Sequence, residues 1–163
     1  MERLTVIDIN KEYLKFSAAH FTIFDATDRE RLHGHNFLVC ARACSPVGDN
    51  GLCFPYDLLK KKLKSLCDEL DEYTLLPGES PHMTVQPEGD YYQALYNGEK
   101  LVFVKPDTIV LPVRNTTVEE LSHYLLERIL GDDSFVADHD IRALEVKVSS
   151  GPGQCGNAVW GSF

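Results

Sequence analysis

Two histidines at alternate positions, His33 and His35, constrain the fold of this chain more than any other feature of its sequence. Residues two apart on a β-strand project to the same face, so this spacing predicts a strand that presents both imidazoles together. A third histidine, His20, ends the apolar-rich segment 16–20. That segment is also typical of a strand. If it lies beside the strand of His33 and His35 in the sheet, the three imidazoles come together.

Three imidazoles with an open fourth position describe a catalytic zinc site, whereas structural zinc is usually closed by four ligands, mostly thiolates. The sequence therefore predicts that His20, His33 and His35 bind Zn²⁺ in an enzyme. The alternative is a His-x-His pair without a metal, because short motifs give false positives. Gly34, which would let the backbone approach a neighbour closely, and Asn36, which would support an imidazole or a loop by a hydrogen bond, favour the zinc interpretation.

Composition excludes several classes of function. The chain has 163 residues, of which 44% are hydrophobic and 25% charged, so we expect one domain over residues 1–163. A net charge of -9 argues against nucleic acid as a partner. Five cysteines without a Cys-x-x-Cys pair indicate reduced thiols and a cytoplasmic protein. The sequence shows no signal-peptide pattern and no apolar run of about 20 residues, so we expect neither export nor a membrane location.

Hydrophobic periodicity predicts an α+β fold. Two amphipathic patterns predict helices, one over 56–70 and one that opens at a capping box at Thr117 and ends at Gly131. Asn97-Gly98 predicts a hairpin turn within an addition over about 84–105, after a loop-like stretch over 75–87. The main sheet is predicted from four strand regions: 4–9 with 13–19 after a polar break at 10–12, then 34–43, 143–149 and 158–163.

Because strands and helices are segregated along the chain, we expect a four-stranded antiparallel sheet with both helices on one face. The hairpin would be a peripheral addition to this sheet. The other face of the sheet would need cover, and oligomerisation is a common way to provide it.

Four segments carry a resemblance to a known family: 16–20 (FSAAH), 33–36 (HGHN), 70–71 (LD) and 116–121 (TTVEEL). They resemble the 6-pyruvoyl-tetrahydropterin synthase and 6-carboxytetrahydropterin synthase family over nearly the whole chain. The resemblance implies the tunnelling fold and a hexamer of two stacked trimers with sites between subunits. It also implies a zinc-dependent lyase that acts on the small-molecule pterin 7,8-dihydroneopterin triphosphate, with the three histidines as zinc ligands.

The cysteine that serves as proton acceptor in this family is absent. The positions six and four residues before His33 hold Thr27 and Arg29. A subgroup of the family uses glutamate three residues before that histidine, and Glu30 fits this spacing. For this subgroup the resemblance implies side-chain cleavage to 6-hydroxymethyl-7,8-dihydropterin for folate synthesis. The alternative is that Glu30 only pairs with Arg29 or Arg31 on an exposed loop.

Two further positions depart from the family. An aspartate-histidine pair follows the first helix in family members, and this chain has Asp71 and Glu72. We expect Asp71 in a proton relay and Glu72 as a further candidate acid or base. Ser150 occupies the position of the glutamate that binds the pterin ring, so affinity for a pterin would be weaker by about 1.5–3 kcal/mol.

These departures leave two other functions open. In the first, the chain keeps the scaffold and the metal but acts as a binding or regulatory protein, or on another ligand. In the second, it makes 6-carboxytetrahydropterin for queuosine synthesis. The second is disfavoured because that branch also depends on the absent cysteine and histidine.

Overall fold

A computed structural model describes residues 2–132 and 134–163 of the chain. Strands and helices in chain order are β1 (Leu4–Ile9), β2 (Lys15–His20), β3 (His33–Pro46), α1 (Tyr56–Leu70), β4 (Tyr73–Pro77), β5 (Met83–Glu88), β6 (Tyr91–Tyr96), β7 (Glu99–Val104), β8 (Thr108–Leu111), α2 (Val118–Leu130), α3 (Phe135–Asp138), β9 (Ala143–Gly151) and β10 (Gln154–Gly161). A short 3-10 helix over Lys105–Asp107 joins β7 to β8.

The main sheet confirms the α+β class but is larger than predicted. Its order is β10-β9-β3-β2-β4-β8, and β1 also pairs with β3, which makes seven strands. The sheet is mixed rather than antiparallel, because β4 runs parallel to both β2 and β8. The four-stranded prediction treated β1 and β2 as one region. It also missed β4 and β8, because such short buried strands read as apolar runs without the alternation of a half-buried strand.

Two of the helices cover one face of this sheet. Helix α1 has the predicted bounds, and its apolar stripe joins the core cluster that also contains the inward residues of β2, β3 and β9. Helix α2 begins where the capping box predicted it, with the Thr117 side chain accepting from the amide of Glu120. The Glu120 carboxylate binds Arg114 rather than closing the box. No helix in the described part of the chain is long and apolar enough to cross a membrane.

The predicted hairpin is part of a second sheet of three strands, β5-β6-β7. The turn between β6 and β7 is confirmed, with Asn97 and Gly98 at φ of 48° and 74°. The stretch 75–87 was expected to be a loop, but it contains the end of β4 and all but the last residue of β5, so that part of the prediction is wrong. This sheet packs Met83 and Tyr96 against Phe21 and Ile23, which follow β2. It therefore supports the segment between β2 and β3.

Strand β10 lies against the start of α2 so closely that only glycine fits at position 156. A Cβ atom on Gly156 would lie 2.5 Å from the carbonyl oxygen of Val118. Gly156→Ala should therefore lower the free energy of unfolding by about 1–3 kcal/mol, because the backbones must separate. Gly151→Ala is the control, since no atom of the described part of the chain lies within 4 Å of its Cβ position. Equal urea midpoints for the two variants would contradict this prediction.

Candidate metal centre

The three predicted ligands meet where β2 ends and β3 begins. His20 is the direct cross-strand partner of His33, and Ala18 is the partner of His35, so all three imidazoles lie on one face. One nitrogen from each ring lies within 4.8 Å of the other two. The Nε2 atoms of His33 and His35 are 3.0 Å apart. His20 is buried, and the other two histidines are half-buried.

Hydrogen bonds on the far side of two rings fix the tautomers that metal binding needs. Nδ1 of His20 lies 2.7 Å from the carbonyl oxygen of Thr116, and Nδ1 of His33 lies 2.7 Å from that of Arg31. A carbonyl oxygen only accepts, so Nδ1 donates in both rings and each Nε2 keeps its lone pair. Nε2 of His20 is buried and has no hydrogen-bond partner among the residues that the structure describes. An orphaned acceptor facing two other imidazoles fits a zinc ligand set.

Burial lowers the pKa of His20, and the neighbouring His33 and His35 lower it further, although the contact with Thr116 acts in the opposite direction. The neutral imidazole is the form that binds a metal, because protonation removes the lone pair. The fold therefore holds His20 ready to act as a ligand at neutral pH.

The metal-free protein is expected to lose stability as the pH falls from about 7.5 to about 5.5. The pKa of His20 is lower in the folded than in the unfolded chain. As the pH falls, the unfolded chain therefore binds a proton at His20 first. The stabilising contribution is present above the unfolded pKa and is lost as the pH falls through the folded pKa. Urea unfolding at the two pH values measures the effect, and His20→Gln should reduce it. A wild type that is at least as stable at the lower pH would contradict this reasoning.

Residues 115 and 116, just before α2, hold the end of β2 in place. The Asn115 side-chain amide donates to the carbonyl of Ile23, and its oxygen accepts from the Ile23 amide. The Thr116 hydroxyl donates to the carbonyl of Phe21, while the Thr116 carbonyl binds His20. Sequence reasoning found no role for this pair. The contacts join positions more than ninety residues apart, and no spacing rule connects them.

Glu30 lies beside the histidine cluster. Its Oε2 atom is 3.9 Å from Nε2 of His33 and accepts a hydrogen bond of 2.9 Å from the amide of Thr22. Partial burial raises the pKa of Glu30, but the hydrogen bonding from Thr22 and the nearby His33 and His20 outweigh this and leave it below its ordinary value. The side chain is therefore a carboxylate at neutral pH, which accepts a proton rather than donating one.

Asp71 and Glu72 lie at the end of α1, next to the outward-facing side of β2. Oδ1 of Asp71 accepts from the Ser17 amide at 2.7 Å, and the Glu72 amide donates to the Ser17 carbonyl at 2.7 Å. Glu72 adopts a left-handed conformation with φ of 66°. It lines an open cleft of about 480 Å³ that also reaches His35. Among the described residues, no hydrogen bond or ion pair joins Asp71 or Glu72 to the three histidines.

Ser150 lies near the end of β9 and is half-buried. It comes one residue after Ser149, the last β9 residue paired with β3, and strand alternation directs it to the face that carries Val148.

Two expected supports of the zinc site are wrong. Asn36 faces away from the imidazoles and accepts from the Ser17 hydroxyl. Gly34 makes no close approach, since a Cβ atom there would lie 3.6 Å from its nearest neighbour.

Fold and site together define an α+β protein with a three-histidine centre able to hold a metal ion. A profile of the 6-pyruvoyl tetrahydropterin synthase family matches residues 8–158. The chain therefore belongs to the 6-pyruvoyl tetrahydropterin synthase family.

Two archaeal relatives are provisionally named 6-carboxy-5,6,7,8-tetrahydropterin synthases. The one from Methanocaldococcus jannaschii is 28% identical over 142 residues, which cover 86% of each chain. The one from Pyrococcus abyssi is 24% identical over 139 residues, which cover 85% of this chain and 81% of the relative.

Solved structures of Plasmodium proteins superpose closely. The 6-pyruvoyl tetrahydropterin synthase of Plasmodium vivax has a TM-score of 0.91 at 26% identity, covering 98% of this chain and 99% of its own. A variant of the Plasmodium vivax protein, in which a glutamate described as a catalytic residue is replaced by alanine, has a TM-score of 0.92 at 25% identity. It covers 98% of this chain and 99% of its own.

Proposed function

We propose that this protein is a zinc-dependent lyase that acts on 7,8-dihydroneopterin triphosphate and cleaves its side chain to give 6-hydroxymethyl-7,8-dihydropterin. The observation that carries the proposal is the Glu30 carboxylate 3.9 Å from His33, at the edge of the three-histidine cluster. The family membership supports the pterin substrate. In the Plasmodium vivax protein a glutamate is a catalytic residue, which supports a glutamate in that role here.

In this proposal His20, His33 and His35 hold the metal through Nε2. A bound zinc ion would polarise the hydroxyls of the substrate side chain. Glu30 removes a proton from that side chain, since it is ionised, partly exposed and close to the cluster. Its contact with the Thr22 amide fixes one carboxylate oxygen. This contact limits the motion of the base and favours one orientation toward the substrate.

We propose that Asp71, Glu72 and Ser150 act on substrate through assembly rather than within one chain. Among the described residues no hydrogen bond or ion pair joins Asp71 or Glu72 to the histidine cluster of their own chain, although Glu72 and His35 line the same cleft. The outward face of the main sheet exposes Leu38 and Val159 by 44% and 53%, which supports burial against other copies. We propose a hexamer of two stacked trimers, and light scattering should then give six times the chain mass of 18.4 kDa.

The test of the proposed function is a product assay on the zinc-loaded protein. Incubation with 7,8-dihydroneopterin triphosphate, oxidation and chromatography with fluorescence detection should show 6-hydroxymethylpterin. A 6-pyruvoyl-derived or 6-carboxy product would keep the family activity but overturn side-chain cleavage as the reaction. Absence of every product would overturn the lyase itself. Tight zinc binding without affinity for pterins would then favour the binding or regulatory homologue, which the absence of three family residues motivates: the cysteine, the histidine after Asp71 and the glutamate at Ser150.

A further inference from the structure

Arg29 occupies one of the two positions at which the family carries its cysteine, and its side chain contacts the second sheet. It lies between the rings of Phe21 and Tyr96, with the guanidinium carbon 5.2 Å and 5.7 Å from their centroids. Only 19% of the side chain is exposed. A largely buried arginine is expensive unless its donors are used. Among the described residues Nε of Arg29 is buried without a partner, so the partners of the two terminal nitrogens indicate its role.

The guanidinium group joins two parts of the molecule. One terminal nitrogen donates to the backbone carbonyl of Glu30 at 2.9 Å, and the other donates to the carboxylate of Glu99 at 2.7 Å. Glu99 is the first residue of β7. Arg29 therefore connects the second sheet directly to the residue that we propose as the base.

The rest of the segment between β2 and β3 is held from the same side. The Tyr96 hydroxyl donates to the carbonyl of Asp25 at 2.9 Å. The Glu30 amide donates to the Thr22 carbonyl at 2.8 Å, and the Thr22 amide donates to the Glu30 carboxylate at 2.9 Å. This reciprocal pair sets the direction of the Glu30 side chain. Its geometry depends on the Glu30 backbone, whose carbonyl accepts from Arg29.

We propose that Arg29 is a positioning residue, held by Glu99, that fixes the backbone of Glu30 and thereby directs its carboxylate toward the histidine cluster. The second sheet is then a functional part of the site, and Glu99 is the anchor through which it acts. The kinetic part of this inference rests on the proposed function, whereas the structural part does not.

Hydrogen exchange followed by mass spectrometry on the zinc-loaded protein tests the structural part. Arg29→Gln should accelerate exchange of the 21–32 segment by about tenfold or more, because the amides of Thr22 and Glu30 lose their support. Glu99→Gln should accelerate it in the same segment. The double variant should exchange no faster than Arg29→Gln alone, since both changes break one connection. Unchanged exchange in Arg29→Gln would overturn the inference.

Steady-state kinetics tests the positioning role. Arg29→Gln should lower kcat by about 10-fold to 100-fold and leave KM within about twofold, because the base is misplaced while substrate contacts remain. Arg29→Lys should recover only part of kcat, since one ammonium group cannot reproduce the two-armed contact. Arg142→Gln is the matched control, because Arg142 forms only exposed ion pairs, with Asp140 and Glu2, among those described. This substitution should leave kcat unchanged.

The two proposals fail in different ways. Faster exchange with an unchanged kcat in an active protein would overturn the positioning role and leave the proposed function intact. A wild type without turnover would overturn the proposed function. Faster exchange of Arg29→Gln would then still support Arg29 as the residue that holds the Glu30 backbone.

Discussion

Glu30→Gln is expected to lower turnover of 7,8-dihydroneopterin triphosphate by about 100-fold to 10,000-fold, the usual contribution of a positioned general base. Glutamine has the same length, and its side-chain oxygen still accepts from the Thr22 amide, so the segment should keep its conformation. What is lost is the negative charge that accepts the proton. Zinc content should not change, because the nearest Glu30 oxygen is 3.9 Å from His33 and is not among the grouped ligand atoms.

Three measurements make this result interpretable: turnover, zinc per chain and the urea midpoint of unfolding. Glu12→Gln is the matched control, since Glu12 is exposed in the turn between β1 and β2 and should leave all three unchanged. Glu30→Asp retains the charge but shortens the side chain, so it should keep part of the activity. Full activity of Glu30→Gln would show that another group takes the proton. Loss of zinc in that variant would indicate a role in holding the metal instead.

The histidine cluster was predictable from sequence because it depends on local rules. The alternation of His33 and His35 needs only a strand, and a strand at 16–20 places His20 within reach. The same locality made the bounds of α1 and the start of α2 predictable, since an amphipathic stripe and a cap are both read within a few residues.

The supports of the site were not predictable, because each joins segments that are distant in sequence. Nothing near Thr116 indicates that its carbonyl binds His20. Arg29 and Glu99 are 70 residues apart, and neither has a spacing that predicts the other. The second sheet was read as a peripheral hairpin because its third strand, β5, looked like a loop. Its role emerges only from tertiary contacts with the segment that carries Glu30.

His35→Ala is expected to reduce the zinc content from about one ion per chain to near zero after dialysis against a weak chelator. Removal of a hydrogen-bond partner behind a metal ligand already lowers affinity about 10-fold to 100-fold, and loss of one of three ligands should exceed this. The fold should persist, since His35 is only half-buried and the core beneath β3 is apolar. Mass spectrometric metal analysis and far-ultraviolet circular dichroism measure the two effects separately.

His82→Ala provides the comparison for this substitution, because His82 is exposed and lies outside the three-histidine cluster. It should retain zinc and the wild-type spectrum. If His35→Ala held zinc as tightly as His82→Ala does, the ion would not be bound through the cluster. The proposed catalytic centre would then lose its physical basis, because the position of Glu30 is argued from its distance to these imidazoles. Loss of zinc in His35→Ala alone would instead place the metal beside the proposed base.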